Sequence, residues 1–374
     1  MAPRPRYRAD QVGSLLRPQE IRNARNDPSV SLAQLREIED RCILRVLQRQ
    51  QDLGFTIFSD GELRRSGFMG DFYESVEGLD NDGSIARTWK GESGADSGSG
   101  VGIAQLTGLV IGKLRQKRRL TEHQAGFLVR HAPGDTKMTL PTANQFPAIA
   151  YRKGLSERAY LTYSDFLWDV VPIIRSEIQA LVNEGVTYVQ IDAPRYSYYL
   201  DPKWRDYVRK EMGVSPEDAL DEAIRADNAS LAGARREGVT LAIHLCRGNN
   251  RSQWYAEGGY DPIAEKLFNE LDVDLFLLEY ESDRAGTFEP LRFVPSTKGV
   301  VLGLVSSKVA QLEPQDLLVR RIEEASRYIG LENLAISPQC GFASSLEGNL
   351  LTEDEQWQKL QLVAATARTI WADA

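Results

Sequence analysis

Short apolar runs alternate along the chain with longer stretches whose apolar residues recur every three to four positions. Runs of strand length fall at 11–15, 56–59, 137–140, 188–191, 240–245, 275–278, 299–304 and 334–337. Helical spacing is clearest at 31–53, where Leu32, Leu35, Ile38, Cys42, Leu44, Val46 and Leu47 stand close to one face. Similar periods run through 164–184, 215–236, 262–271, 315–329 and 353–371, and Ser215-Pro-Glu-Asp and Thr352-Glu-Asp-Glu supply cap-like openings. Eight strands, each followed by a helix or a long connection, predict an α/β fold of the (β/α)8 TIM-barrel type. The competing arrangement is an open doubly wound sheet. No Gly-x-Gly-x-x-Gly follows the first strand, which removes the usual reason to prefer it.

The rhythm breaks at 75–133, between strands two and three, in a polar insertion that contains Gly91-Glu-Ser-Gly-Ala-Asp-Ser-Gly-Ser-Gly100. Its Gly/Ser content fits a lid over the barrel mouth or a disordered excursion equally well. No solenoid repeat is present. The expectation is one barrel domain over residues 1–374 that carries this insertion.

Composition narrows the function. The formal net charge is −8, and the basic cluster Lys113–Arg119 lies in no recognisable nucleic-acid module, so it reads as a solvated face. There is no apolar run of about 18 residues and no signal peptide. The chain therefore reads as cytoplasmic, with neither nucleic acid nor membrane as a partner. A homo-oligomer is left open. Three cysteines in a reducing compartment do not make a disulfide framework, so Cys246 and Cys340, both at strand ends, need another account.

The fifth strand ends in Leu241-Ala-Ile-His-Leu-Cys-Arg-Gly-Asn249, and residues two apart on a strand share a face. His244 and Cys246 therefore point together. The sixth strand delivers Glu279, and the eighth, ending Ile336-Ser-Pro-Gln-Cys-Gly341, delivers Cys340. All four fall at the carboxyl ends of strands, where barrel active sites form. Imidazole, two thiolates and a carboxylate suit a tetrahedral zinc ion. A His or Cys at a strand end is also commonly a packed core residue, and H-x-C is a weak motif, so spacing leaves both readings standing.

The chain resembles the catalytic-domain family of cobalamin-independent methionine synthase, especially its short single-barrel members. The likeness runs nearly end to end. It is carried by Arg8-Ala-Asp-Gln-Val-Gly-Ser-Leu-Leu-Arg-Pro18, Ser59-Asp-Gly-Glu62, Val189-Gln-Ile-Asp192, His244-x-Cys246, Leu278-Glu279 and Ser337-Pro-Gln-Cys-Gly341. The resemblance implies Zn2+ held by His244, Cys246, Glu279 and Cys340; Glu281, two residues on and so on the same strand face as Glu279, competes as the carboxylate. It implies methyl transfer to a small thiol such as homocysteine. A thiol of pKa about 8.5 is mostly protonated at neutral pH, and coordination to zinc deprotonates it. It further implies that Gly13 and Ser14 receive the thiol's carboxylate, and that Glu62 and Asp192 receive its ammonium, an arrangement with good charge logic.

The resemblance thins on the donor side. The family's pterin-stacking tryptophan has no counterpart in Met138-Thr-Leu-Pro-Thr-Ala-Asn-Gln145, which puts folate recognition in doubt. The family's catalytic histidine after the seventh strand is replaced by Gly303-Leu-Val-Ser-Ser-Lys308, with Ser306 near its place. An acidic residue after the fourth strand is replaced near Tyr198. Ser306 and Tyr198 thus become candidate catalytic groups. Arg195, with Tyr196, Tyr198 and Tyr199, and Arg247 after the zinc cysteine become candidates for holding an oxygen or an anionic substituent. Two related readings compete: an epoxide-opening transferase resembling epoxyalkane:coenzyme M transferase, and a zinc protein without catalysis. A metal-free relative of the uroporphyrinogen decarboxylases is disfavoured by the intact His244, Cys246 and Cys340.

Overall fold

The computed structural model describes residues 5–80, 89–91 and 108–372. Nine strands occur among them: β1 Ile57–Phe58, β2 Val76–Asp80, β3 Leu109–Gln116, β4 Asp135–Pro141, β5 Tyr188–Asp192, β6 Thr240–Leu245, β7 Leu275–Glu279, β8 Gly299–Val305 and β9 Leu334–Pro338. Seven form one parallel sheet in the order β1-β4-β5-β6-β7-β8-β9. The curl closes through Ala9, which bridges Ile336 in parallel; Asp10 N–H donates to the Ile336 carbonyl (3.0 Å) and Ile336 N–H to that of Arg8 (2.9 Å). This is the predicted TIM barrel. Strands β5, β7 and β8 are buried along their whole length, as expected where helices cover the outside and side chains fill the inside.

The first strand is a correction. The run 11–15 was expected to be extended, but the pairing lies two residues before it, at Ala9, and Val12 sits at φ +62°. Asp10 is the cause. Its Oδ1 accepts the Val12 N–H (3.1 Å), folding residues 10–12 into an Asx turn that ends the strand. The same device ends β1, where Asp60 Oδ1 accepts the Glu62 N–H (2.9 Å) and Glu62 takes φ +57°. Asp10 also anchors the barrel interior, since Lys137 Nζ lies 2.5 Å from its Oδ1 and Tyr188 OH donates to its Oδ2 (3.0 Å).

The other strands and the helices fall close to their expected places. The helix Leu32–Leu53 begins at Ser31 and Glu353–Ile370 at Thr352, both with reciprocal capping boxes. Two helices are shorter than their apolar period, Pro216–Leu231 and Gln315–Ala325. The insertion contributes a hairpin absent from the sequence reading: β2 pairs antiparallel with β3. Most of the Gly/Ser stretch (92–107) lies outside the described residues. At its edge, Lys90 pairs with Trp254 in both directions (N–H to O, 2.7 and 3.0 Å), and its ammonium meets Glu257 at 3.0 Å. Among the described residues, no helix is long and apolar enough to cross a membrane.

Candidate metal centre

Asp192 and His244 are register partners on β5 and β6, both directed into the barrel at its carboxyl end. Cys246 follows β6 by one residue, and Cys340 follows β9 by two. Donor atoms of His244, Cys246 and Cys340 all lie within 4.8 Å of one another, and all three side chains are buried. Neither ring nitrogen of His244 has a hydrogen-bond partner. A buried imidazole with two unused nitrogens is costly unless something else takes a lone pair. A histidine and two cysteines so arranged suit a soft or borderline cation, zinc foremost. The electrostatics agree. The facing Cys340 thiol holds the Cys246 thiol well below the usual thiol range against the effect of burial, with help from His244; Cys340 itself is pushed up by Cys246 and by burial. Burial alone would lower the His244 pKa, but Cys246, Asp192 and Glu279 raise it.

Glu279 stands outside that group of three. Its Oε2 accepts the Arg247 N–H (2.7 Å) and its Oε1 accepts Arg284 Nε (2.9 Å), so both oxygens are already engaged. Arg284 also contacts Glu281, which sits beyond the end of β7.

A cavity opens beside the three ligand candidates. Gly13, Ser14, Glu62, Asp192 and Arg195 line it, as do His244, Cys246 and Cys340. Glu62 is fixed by the Thr139 hydroxyl, which donates to Oε1 (2.7 Å), and its Oε2 is buried without a partner. Gly13 is required by the close approach of these residues: a Cβ there would sit 2.8 Å from Thr139 Cγ2 and 2.9 Å from Glu62 Oε1. Asp192 accepts from Gln190 Nε2 (2.7 Å). Burial pushes its carboxyl up to about 7, opposed by His244 and supported by Glu62.

Like Glu279, the sequence candidates Arg247, Tyr196, Tyr198, Tyr199 and Ser306 do not reach the cavity wall. The Arg247 guanidinium is enclosed by the Gly258, Glu279 and Ala285 carbonyls and by Tyr260 OH, so it braces the loop after β6. Tyr198 stacks flat on Trp204 (4.3 Å) and accepts a hydrogen bond from Arg195. The Ser306 hydroxyl accepts the Lys308 N–H (3.2 Å) within its own turn. Conversely, the cavity includes residues that sequence reasoning missed: Gln190, Asn249, Tyr255 and Trp89. Gln190 was legible, because it shares a strand face with Asp192. Trp89 was not, because it arrives from the insertion and rests edge-on against Tyr255 (5.3 Å).

The family profile described as "Cobalamin-independent synthase, Catalytic domain" matches residues 158–364. The chain is also 37% identical over 374 residues to the Bacillus subtilis (strain 168) protein YxjG, covering 98% of this chain and 96% of that one. This chain belongs to the cobalamin-independent synthase family. A methionine synthase of Pyrococcus abyssi (strain GE5 / Orsay) is 24% identical over 87% of this chain and 80% of its own. The structure of a B12-independent methionine synthase from Shewanella sp. W3-18-1, in complex with selenomethionine, superposes with a TM-score of 0.73. It covers 97% of each chain at 19% identity, which supports the barrel fold. Membership of the cobalamin-independent synthase family makes this chain a methyltransferase.

Proposed function

We propose that this methyltransferase alkylates a small amino-acid thiol, homocysteine or a close relative, at a zinc site formed by His244, Cys246 and Cys340. The observation that carries the reading is the buried His-Cys-Cys group with both imidazole nitrogens unpartnered, open to a cavity. The adjoining cavity is what a purely structural zinc site would lack. A zinc ion held there supplies an incoming thiol with a positive charge that keeps it deprotonated at neutral pH.

The chain's own residues then position the substrate. Glu62, with Oε2 unpartnered, and Asp192 form an acidic pair suited to the thiol's ammonium. Gly13 and Ser14, just after the Asx turn that ends the first strand, border the same space and take its carboxylate. Glu279, whose oxygens are held by Arg284 and the Arg247 N–H, would be an exchangeable fourth ligand to that ion. Tyr198 and Ser306, away from the wall, are not assigned a proton-transfer role. Residues 1–374 act as one catalytic barrel, and the Lys90–Trp254 pairing supports the 75–133 insertion as a cover at its mouth. The methyl donor is left as a class, an electrophilic one-carbon or alkyl compound.

The test is metal content of the purified protein followed by homocysteine titration at the zinc X-ray edge. One zinc per chain and one added sulfur ligand are expected. Zinc without an added sulfur would remove the thiol assignment, and absence of zinc would overturn the reading.

A further inference from the structure

Six arginines are buried among the described residues: Arg8, Arg17, Arg64, Arg65, Arg195 and Arg247. Five reach backbone carbonyls or carboxylates. Arg8 bonds the Glu332 and Leu334 carbonyls, Arg17 those of Ala343, Ser345, Glu62 and Arg65, and Arg247 the set given above. Arg64 pairs with Glu39 and Asp40, and Arg65 with Asp71 and Glu62. Arg195 differs. Its single side-chain hydrogen bond among the described residues runs from Nη1 to Tyr198 OH (3.0 Å), its Nε is buried with no partner, and it has no carboxylate within ion-pair distance. The guanidinium lies over the Tyr198 and Tyr255 rings, 5.0 and 4.9 Å from their centroids. Burial works against its charge, and the groups that favour it are the Tyr198, Tyr255 and Tyr207 hydroxyls and the Cys246 sulfur, none of them a carboxylate.

A guanidinium has five N–H donors in a rigid fork, and burying it without a counter-ion is strongly unfavourable. Aromatic faces offset only part of that cost. Because Arg195 is on the cavity wall, the missing counter-ion has a route to it. We propose that Arg195 binds an anionic oxygen group (carboxylate, sulfonate or phosphate) that a substrate carries into this cavity. The planar fork matches such groups with two parallel hydrogen bonds. The inference rests on reading the cavity as the substrate site, but not on the metal. The group belongs either to the thiol or to the alkyl donor, and the two sources are separable.

The experiment is calorimetric titration of the full chain with sodium sulfate and with methylphosphonate, against chloride at equal ionic strength. Wild type, Arg195→Lys, Arg195→Met and the exposed control Arg320→Met are compared. Wild type and the control are expected to bind one anion per chain saturably. Affinity should fall at least ten-fold in Arg195→Met and less in Arg195→Lys, which keeps the charge but loses the fork. Repeating the titration with homocysteine present identifies the source: competition assigns the group to the thiol, and independent binding assigns it to the donor. Either result upholds the anion site. Absence of saturable binding in wild type, or equal binding in Arg195→Met, overturns it. Should Arg195→Met unfold, the 15N resonance of the unpartnered wild-type Arg195 Nε–H serves instead, and a resonance indifferent to sulfate overturns the proposal. Anion binding needs neither zinc nor turnover, so failure here and failure of the metal assignment are distinguishable.

Discussion

Asp192 and His244 face each other across adjacent strands, so one barrel layer carries both the carboxylate proposed for substrate and the nitrogen proposed for metal. A change to either can therefore disturb both, and informative variants are those that separate the two functions.

Cys246→Ser and Cys340→Ser are expected to abolish stoichiometric metal. Each removes a thiolate proposed to coordinate the metal directly, so the loss should exceed the roughly 10–100-fold typical of an outer-shell change. Zinc analysis after gel filtration checks this. Full zinc with full turnover in either variant would refute the ligand assignment.

Glu62→Gln should leave metal content intact and weaken the thiol substrate. A hydrogen bond to a charged group is worth about 1.5–3 kcal/mol, so KM for homocysteine should rise on the order of ten- to a hundred-fold. Unchanged KM would remove Glu62 from the ammonium site.

Gly13→Ala forces a methyl group against Thr139 Cγ2 and Glu62 Oε1. Overpacking of this kind costs about 1–3 kcal/mol. The expected result is a lower melting temperature and weaker thiol binding, with zinc retained. A variant indistinguishable from wild type in both respects would show that the two turns are not tightly coupled.

Lys137→Met strips the buried Asp10 of its only ion-pair partner among the described residues. Breaking a buried pair from one side costs about 3–5 kcal/mol. Denaturant unfolding should show a loss of that order, and a loss below about 1 kcal/mol would contradict the pairing.

Asp227 gives a pH dependence remote from the metal. Burial pushes its carboxyl up to about 7, and Tyr196 OH donates to it (2.8 Å). With an unfolded pKa near 3.9, the folded state alone retains the proton between about pH 4 and 7. Stability is therefore greatest below that window and falls as pH rises through it, by up to a few kcal/mol. Asp227→Asn should flatten the decline. Melting curves at pH 5 and 8 for both proteins test it, and parallel pH profiles would reject the assignment.

The barrel was legible because parallel strands buried on both faces read as apolar runs, and His244-x-Cys246 was legible because strand geometry puts both on one face. Cys340 needed the barrel to bring it round. What stayed hidden depends on partners distant in sequence. Arg247 and Arg195 both looked available, and only the tertiary carbonyls around Arg247 separate them. For Glu279 it was the turn bringing Arg284, five residues on, back onto its carboxylate that the apolar pattern did not reveal. The first strand was misplaced because an Asp side chain, rather than a Gly or Pro, turned the backbone at Val12.

The seam of the barrel is unevenly sewn. From β5 to β9 each strand joins the next by four or five register pairs, and the three proposed metal ligands all belong to that stretch. The segment around Ala9 has one bridge to β9. Toward β1 it is joined by the Gln11 amide reaching the Ile57 carbonyl (3.1 Å) and by the Leu15 N–H on the Gly61 carbonyl (2.9 Å). Gly13, Ser14 and Glu62 sit on this lightly stitched side. On the proposed reading the metal would be gripped by the stiff arc and the thiol's amino-acid end by the compliant one, so that a bound substrate would act as a clasp across the seam. Amide exchange in residues 8–15 and 57–63 should slow when the thiol binds, while β6 and β9, already locked, hold their rates.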